Sequence, residues 1–189
     1  MKIGILGIQG AYHKHAEMLR SLGVEPLIIR YNAQLEEISA LIIPGGESTA
    51  FSMQLSFRLD FEKVRDFALS HPVFGTCAGM IMLGKGDNDP RVRQLKLMDF
   101  TVLRNAYGAQ TESFTAELDL TLNGEKSAFH GVFIRAPRID SLGEKVKVLA
   151  RHGTEPVMAE QGHFLAASFH PELSGDGRIH RYFIERITT

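Results

Sequence analysis

The chain has 189 residues, of which 44% are hydrophobic and 23% are charged, and its net charge at pH 7 is −1. We expect one domain over residues 1–189, and the single cysteine excludes an intramolecular disulfide framework. Balanced charge without tryptophan argues against a dedicated nucleic-acid binder. No apolar run is long enough for a membrane span or a signal peptide, so we expect a cytoplasmic protein.

Short apolar runs alternate with amphipathic segments in the first half of the chain. The runs predict strands over residues 3–8, 24–30, 41–43 and 73–74, and the segments predict helices over residues 12–22, 49–70 and 80–83. The second helix is expected to break near Leu59 and Asp60, and Pro26 requires that the second strand lies at a sheet edge or outside the ladder. This alternation predicts a mostly parallel sheet with helices on both faces.

The second half of the chain is richer in strand patterns. We expect strands over residues 97–104, 112–122, 131–135, 146–150, 156–159 and 164–169, followed by a closing helix over residues 176–187. In a chain of this length, an α/β half followed by a β-rich half favours one three-layer α/β domain over two domains. Its single central sheet would be mostly parallel, flanked by helices and extended by antiparallel strands.

The sequence GTCAG at positions 75–79 lies between a short predicted strand and a predicted helix, which is the setting of a nucleophile elbow. Glycines two residues before and two residues after Cys77 permit a sharp turn that exposes its side chain. The helix that follows favours a thiolate, and the N–H of Ala78 would face an oxyanion formed beside the sulfur. A buried structural cysteine is the alternative, and the motif favours the nucleophile.

A cysteine nucleophile needs a general base, and His170 is the best candidate among eight histidines. It follows the apolar run 164–169, and Glu172 lies two positions further on. On an extended backbone, which Pro171 favours, the two side chains would point to the same side, and the carboxylate would orient the imidazole. The other histidines lie in helical, loop or surface-like contexts, and they are His13, His15, His71, His130, His152, His163 and His180.

The sequence PGGES at positions 44–48 follows the predicted strand 41–43. Its two glycines permit positive φ and expose backbone N–H groups, one of which could complete an oxyanion hole with Ala78. A strand-to-helix turn with Ser48 as the N-cap is the alternative. Either arrangement would let a substrate approach the backbone closely.

Together, these motifs resemble those of the triad-type, or class I, glutamine amidotransferases. Within that family the chain is similar to the glutaminase subunits of pyridoxal 5′-phosphate synthase, which serve the ribose-5-phosphate-dependent route to vitamin B6. The segments that carry the likeness are ILGIQG (5–10), PGGES (44–48), GTCAG (75–79), RNAYG (104–108), VFIRAP (132–137) and FHPE (169–172). They occur in the right order over essentially the whole chain.

The resemblance implies a flavodoxin-like, class I glutamine amidotransferase-like fold and hydrolysis of L-glutamine to L-glutamate and ammonia. Cys77 would be the nucleophile, His170 the base and then the acid, and Glu172 the residue that orients His170. The residues implied in glutamine binding are Gly46, Glu47, Ser48, Arg104, Ile134 and Arg135, and those in oxyanion or supporting roles are Ala78, Gln9 and Gly10. No metal or cofactor is expected on this chain.

The resemblance also implies a partner. Free ammonia is protonated at neutral pH and diffuses away, so this family passes it through a channel to a separate synthase (lyase) subunit, on which pyridoxal 5′-phosphate forms. We expect a large hetero-oligomer with such a subunit, and no binding to nucleic acid or a membrane. The sequence departs from the family's pattern at Ala109, where a basic residue is common, and in the loop 89–96.

Three other functions are consistent with some of these residues. A glutaminase subunit for a different acceptor enzyme would share the triad, but the segments 104–108 and 132–137 argue against it. A cysteine peptidase or DJ-1-like hydrolase would share the elbow and the histidine but would not need a glutamine site. A binding module without catalytic activity would keep the α/β scaffold and would not need Cys77.

Overall fold

The structure is a computed structural model, and it describes residues 1–7, 12–46, 59–86, 92–104 and 113–187. Within these ranges the strands are β1 (Lys2–Leu6), β2 (Glu25–Ile29), β3 (Ala40–Ile43), β4 (Val73–Thr76), β5 (Phe100–Leu103), β6 (Ser113–Leu122), β7 (Glu125–Ile134), β8 (Arg138–Leu142), β9 (Lys147–His152), β10 (Glu155–Gln161) and β11 (Phe164–Ala167). The helices are α1 (Tyr12–Ser21), α2 (Phe61–Ser70), α3 (Ala78–Leu83) and α4 (Arg178–Glu185), with 3-10 turns at Asn32–Glu37 and Pro171–Leu173. None of the helices in these ranges has the length and apolar character needed to cross a membrane.

Nine of the strands in the described ranges form one sheet in the order β2-β1-β3-β4-β11-β10-β9-β6-β7. The strands from β2 to β11 run parallel, and β10, β9, β6 and β7 extend the sheet with antiparallel pairing. Pro26 lies in β2 at the sheet edge, where a residue without an N–H is tolerated. The predicted α/β fold with an antiparallel extension is confirmed.

The parallel strands place alternate side chains in two cores, one on each face of the sheet. On one face, Ile42 of β3 packs with α1 and α4, which contribute Leu19 and Phe183. On the other face, Leu41 and Ile43 pack with α2, α3 and the small sheet of β5 and β8. Burial of each such side chain stabilises the fold by about 1.5–3 kcal/mol, so both cores hold the sheet between its helices. The expected layers are present.

The second half of the chain differs from the prediction in two places. The strand predicted over residues 131–135 is the much longer β7, because Asn123 and Gly124 close a two-residue hairpin that pairs Leu122 with Glu125. Both turn residues have positive φ, 51° and 86°, and Asn-Gly is a strong signal for such a turn. The prediction also lacks β8, whose pairing with β5 makes a second sheet where a single sheet is expected.

The first half follows the prediction closely. α2 begins at Phe61, and Asp60 caps it by accepting a hydrogen bond from the N–H of Glu62 at 2.9 Å. This start lies where the predicted helix is expected to break, and residues 49–58 of that helix lie outside the described residues. α3 begins at Ala78, two residues earlier than predicted.

Candidate active site

Three neighbouring strands, β3, β4 and β11, end at the same edge of the sheet. Gly45 and Gly46 follow β3, Cys77 directly follows β4, and His170 lies three residues after the end of β11. Ligands of open α/β sheets bind at the carboxyl ends of such strands, where the loops converge. The topology therefore brings three of the predicted segments to one place.

Cys77 occupies a strained turn between β4 and α3. Its φ of 50° and ψ of −107° lie outside the regions that non-glycine residues favour, and strain of this kind clusters at functional sites. The N–H of Cys77 donates to the carbonyl of Ala167 at 2.8 Å and fixes the turn. Position 79 must be glycine for the start of α3 to pack against the end of β3, because a Cβ there would lie 1.9 Å from the carbonyl oxygen of Ile43. This is the geometry of the predicted nucleophile elbow.

The His170 imidazole lies between Cys77 and Glu172. Its Nδ1 is 2.7 Å from Oε1 of Glu172, which leaves Nε2 as the nitrogen available to the Cys77 sulfur. The backbone N–H of His170 donates to the carbonyl of Val132 at 2.8 Å. At Gly45, a Cβ would be 2.4 Å from Cε1 of His170 and 3.1 Å from the Cβ of Cys77. The three predicted triad side chains thus lie together at this edge of the sheet.

Glu172 reaches His170 by a different backbone path from the predicted one. The prediction places both residues on extended backbone, but Pro171–Leu173 form a 3-10 turn in which the N–H of Leu173 donates to the His170 carbonyl at 3.2 Å. His170 has φ −106° and ψ 86°, which avoids the helical region that a following proline disfavours. Because the turn brings the carboxylate back towards the ring, the expected pairing is present although the extended-backbone argument for it is wrong.

Burial and hydrogen bonding set the charges of this group, in which each of the three residues is at most 6% exposed. Burial alone would lower the pKa of His170, but its interactions with Cys77 and Glu172 raise that pKa to about 10. Burial alone would raise the pKa of Glu172, yet the nearby His15 and the hydrogen bond from His170 bring it below its usual value. At neutral pH, a protonated imidazole therefore lies between a sulfur and a carboxylate.

Further predicted site residues lie at the ends of other elements. Ile134 ends β7, and its carbonyl oxygen is 3.6 Å from the Cys77 sulfur. Arg135, the next residue, is exposed and has a φ of 44°. Ala78 begins α3, so helix geometry leaves its N–H without an intrahelical acceptor. Arg104 directly follows β5 of the small sheet and is half-buried.

The loop after β3 is described only in part. Its Gly46 is half-buried at the sheet edge. The predicted site residues outside the described ranges are Gln9, Gly10, Glu47 and Ser48, and Ala109 and positions 89–91 of the loop 89–96 also lie outside them.

Two histidines near Glu172 lie on helices, within the helical contexts that the prediction allowed, but their burial was not predicted. His15 on α1 and His180 on α4 are both 0% exposed. Their spacing from apolar residues is the sequence signal that could have revealed this burial. His15 lies four residues before Leu19 and His180 three before Phe183, so each shares the apolar face of its helix.

The fold and this arrangement of cysteine, histidine and carboxylate define a glutamine amidotransferase. A crystal structure of a glutamine amidotransferase superposes with a TM-score of 0.92 at 44% sequence identity, and the match covers 99% of each chain. The structure of PurLQS from Thermotoga maritima, at 14% identity, shares the fold with a TM-score of 0.70 over 97% of each chain.

The chain belongs to the SNO glutamine amidotransferase family, whose sequence profile matches residues 5–189. One relative, the pyridoxal 5′-phosphate synthase subunit PdxT of Pelotomaculum thermopropionicum, is 52% identical over 98% of this chain and 95% of its own length. The protein of the same name from Thermotoga neapolitana is 45% identical over 99% of this chain and 100% of its own length. The resemblance drawn from the motifs is confirmed, and the chain is an enzyme of the glutamine amidotransferase class.

Proposed function

We propose that this chain is the glutaminase subunit of a pyridoxal 5′-phosphate synthase. It hydrolyses L-glutamine to L-glutamate and ammonia and delivers the ammonia to a partner synthase subunit. The observation that carries the proposal is the grouping of Cys77 and His170 beside Gly45, with the His170 ring hydrogen-bonded to the Glu172 carboxylate at 2.7 Å. The relatives at 52% and 45% identity, named as subunits of that synthase, support the choice of acceptor reaction.

In the first half of the reaction Cys77 is the nucleophile. Its thiolate attacks the side-chain amide carbon of glutamine, a C–S bond forms, and the carbonyl electron pair moves onto oxygen. The N–H of Ala78 and a backbone N–H near Gly46 stabilise this oxyanion. His170 then donates its Nε2 proton to the amide nitrogen, the C–N bond breaks, and ammonia leaves a glutamyl thioester.

In the second half, the neutral His170 takes a proton from water, and the water oxygen adds to the thioester carbon. The tetrahedral intermediate collapses, expels the Cys77 thiolate and releases glutamate, with His170 protonated again. Glu172 keeps the Nδ1–H of His170 directed towards itself, so Nε2 is the nitrogen that exchanges protons in both halves. Its carboxylate also stabilises the imidazolium.

The glutamine site extends this proposal beyond the triad. The residues that we assign to it are Gly46, Glu47, Ser48, Arg104, Ile134 and Arg135, with Gln9 and Gly10 in support. The 3.6 Å approach of the Ile134 carbonyl to the Cys77 sulfur supports the assignment, because it places the end of β7 beside the reacting centre. Arg135 is exposed at that end and provides a cation suited to a substrate carboxylate.

The same chemistry supports the cellular setting that we assign. Ammonium is not a nucleophile, so direct delivery to a synthase subunit in a hetero-oligomer preserves the reactive form. A thiolate nucleophile is preserved in a reducing compartment, which favours the cytoplasm. We assign residues 1–189 to one catalytic domain.

Ammonia release from glutamine tests the proposal, measured with and without the cognate synthase subunit. We expect the subunit to stimulate release, and we expect Cys77→Ala to reduce it by about 10⁴-fold or more while glutamine still binds. Lys145→Ala, at an exposed position between β8 and β9, is the matched control and should retain full activity. The proposal would be refuted if the wild-type complex released ammonia no faster than a sample without enzyme, or if Cys77→Ala kept full activity.

A further inference from the structure

Two fully buried histidines continue the polar contacts of the triad beyond Glu172. Nε2 of His15 lies 3.3 Å from Oε2 of Glu172, and Nδ1 of His15 lies 2.9 Å from Nε2 of His180. His15 comes from α1 and His180 from α4, which pack on the same face of the sheet. The series from His170 through Glu172 and His15 to His180 thus links the active site to both helices.

The Glu172 carboxylate determines where the protons lie on these two rings. An ionised carboxylate only accepts hydrogen bonds, so it favours the tautomer of His15 that carries the proton on Nε2, the nitrogen 3.3 Å from it. Burial lowers the pKa of His15 and lowers that of His180 to about 3, so each ring is neutral near pH 7 and carries one proton. Nδ1 of His15 is then an acceptor for the Nε2–H of His180. Nδ1 of His180 is left as a lone pair, which agrees with its having no hydrogen-bond partner among the described residues.

Oε2 of Glu172 is the atom towards which we expect Nε2–H of His15 to be directed. It is buried and has no hydrogen bond of standard geometry within the described part of the chain, and the nitrogen that approaches it is Nε2 of His15, at 3.3 Å. The same His15 nitrogen is 3.2 Å from Oγ1 of Thr76, the residue before Cys77. His15 therefore contacts both the carboxylate of the triad and the strand that enters the nucleophile turn.

We propose that His15 is a positioning residue whose Nε2–H holds the Glu172 carboxylate in place for His170, with His180 fixing the orientation of the His15 ring. The proposal rests on the proposed function for its reaction, but the arrangement exists without substrate. Loss of the Nε2 donor removes the polar group 3.3 Å from Oε2 of Glu172, so the carboxylate is held less firmly and supports the His170 imidazolium less well. Among the described residues, the ionisable groups that interact with Glu172 are His15, His170 and His180.

The tautomer of His15 tests the proposal in the unmodified protein. Long-range proton–nitrogen NMR spectra of the ¹⁵N-labelled chain distinguish protonated from unprotonated ring nitrogens. At pH 7 we expect both His15 and His180 to be neutral, with the proton on Nε2 in each ring. A His15 ring that carries its proton on Nδ1 would overturn the proposal, whatever the variants below do.

Two amide substitutions at position 15 separate the roles of the ring nitrogens. The amide nitrogen of glutamine lies near the position of Nε2, and that of asparagine lies near Nδ1. His15→Gln therefore keeps a donor towards Glu172, whereas His15→Asn loses it and keeps similar polarity. The matched pair distinguishes the donor from the mere presence of a polar side chain.

Alkylation of Cys77 by iodoacetamide reads the thiolate at one site, because the chain has one cysteine. We expect His15→Asn to slow alkylation at pH 6.5 about 10-fold and to move the midpoint of the pH profile upwards, while His15→Gln stays within about 3-fold of wild type. Urea unfolding of both variants checks that each is folded. Indistinguishable alkylation profiles for the two folded variants would overturn the proposal.

Kinetics in the complex with the synthase subunit add a second readout. In His15→Asn, kcat for ammonia release should fall about 10- to 100-fold and KM for glutamine should stay within about 2-fold, because His15 acts through Glu172. If the wild-type complex has no glutaminase activity but the alkylation profiles of His15→Asn and His15→Gln differ, the proposed function is refuted and the positioning role is not. An active wild-type complex with unchanged kcat in His15→Asn would refute the positioning role alone.

Discussion

Two buried glutamates in this enzyme, Glu172 and Glu160, have different partners. Glu172 is 5% exposed and is contacted by two histidine rings, at 2.7 Å and 3.3 Å. Glu160 of β10 is 8% exposed and is contacted by the guanidinium of Arg186, the hydroxyl of Tyr182 and the ammonium of Lys147. Among the described residues, the side chains that contact the first carboxylate are titratable imidazoles, whereas the second is contacted by permanent cations.

The comparison shows how partners decide what a buried carboxylate does. Arg186 and Lys147 stay cationic at physiological pH, so Glu160 is paired at all times and anchors β10 to the end of α4. Burial and the hydrogen bond to Glu160 raise the pKa of Tyr182 to about 12, so its hydroxyl remains a donor. Imidazoles exchange protons, and Glu172 can therefore support a charge that changes during turnover.

The largest effect is expected from Glu172→Gln, which tests the catalytic member of the pair. The neutral amide cannot stabilise the His170 imidazolium, so kcat should fall about 10³-fold while KM for glutamine stays within about 3-fold. Ammonia release in the complex with the synthase subunit measures both constants. A loss that falls wholly on KM would instead place Glu172 among the glutamine contacts.

Glu160→Gln tests the structural member. It leaves the Arg186 guanidinium without its anion, and since that side chain is 36% exposed and partly hydrated, we expect a loss of about 2 kcal/mol in the free energy of unfolding. Urea unfolding at pH 7.5 measures the loss, and kcat of the folded variant should stay within about 2-fold of wild type. If kcat fell as far as in Glu172→Gln, the distinction between the two carboxylates would be wrong.

The decrease in the free energy of unfolding at acidic pH further distinguishes imidazoles from permanent cations. Burial lowers the folded-state pKa of His180 to about 3, so below pH 6.5 the unfolded chain binds more protons and stability is lost as pH falls. Between pH 7.5 and pH 5.0 this histidine should account for a loss of about 2 kcal/mol. His180→Gln keeps a donor for His15 and should lose that much less over the same interval in urea unfolding. An unchanged pH dependence would show that His180 is already protonated in the folded protein.

The smallest effect is expected from Lys147→Ala. The ammonium is 3.0 Å from Oε1 of Glu160, but its side chain is 63% exposed, so the ion pair is screened by water. We expect a loss of about 0.5 kcal/mol in urea unfolding and no change in kcat. A loss as large as that of Glu160→Gln would show that Lys147, and not Arg186, provides the main pairing.

The parallel part of the fold could be predicted from the sequence because each buried strand is a short apolar run that ends at a turn signal. The strands before Gly45 and Cys77 are examples, and their neighbourhood follows from the rule for strand ends. The length of β7 could also have been predicted, since the Asn123 and Gly124 pair marks its hairpin. β8 offers no comparable signal, because it pairs with β5 over a long sequence separation.

The triad pattern was equally visible in the sequence, but its supporting contacts were not. The pairing of Glu172 with His170 depends on a 3-10 turn, which the sequence-based argument does not contain. The contact between His15 and His180 joins residues 165 positions apart. Periodicity places each of these histidines on the apolar face of its own helix, but only the packing of α1 beside α4 brings the rings together.

The space around Gly45 has a consequence for reading other sequences of this fold. Any side chain there would collide with the ring of His170, which cannot rotate away without breaking its hydrogen bond to Glu172. A homologous chain that keeps the cysteine and the histidine but carries a bulkier residue at this position should fold and yet lack an assembled nucleophile. The residue aligned with Gly45 can therefore distinguish active hydrolases from homologues that have lost catalytic activity.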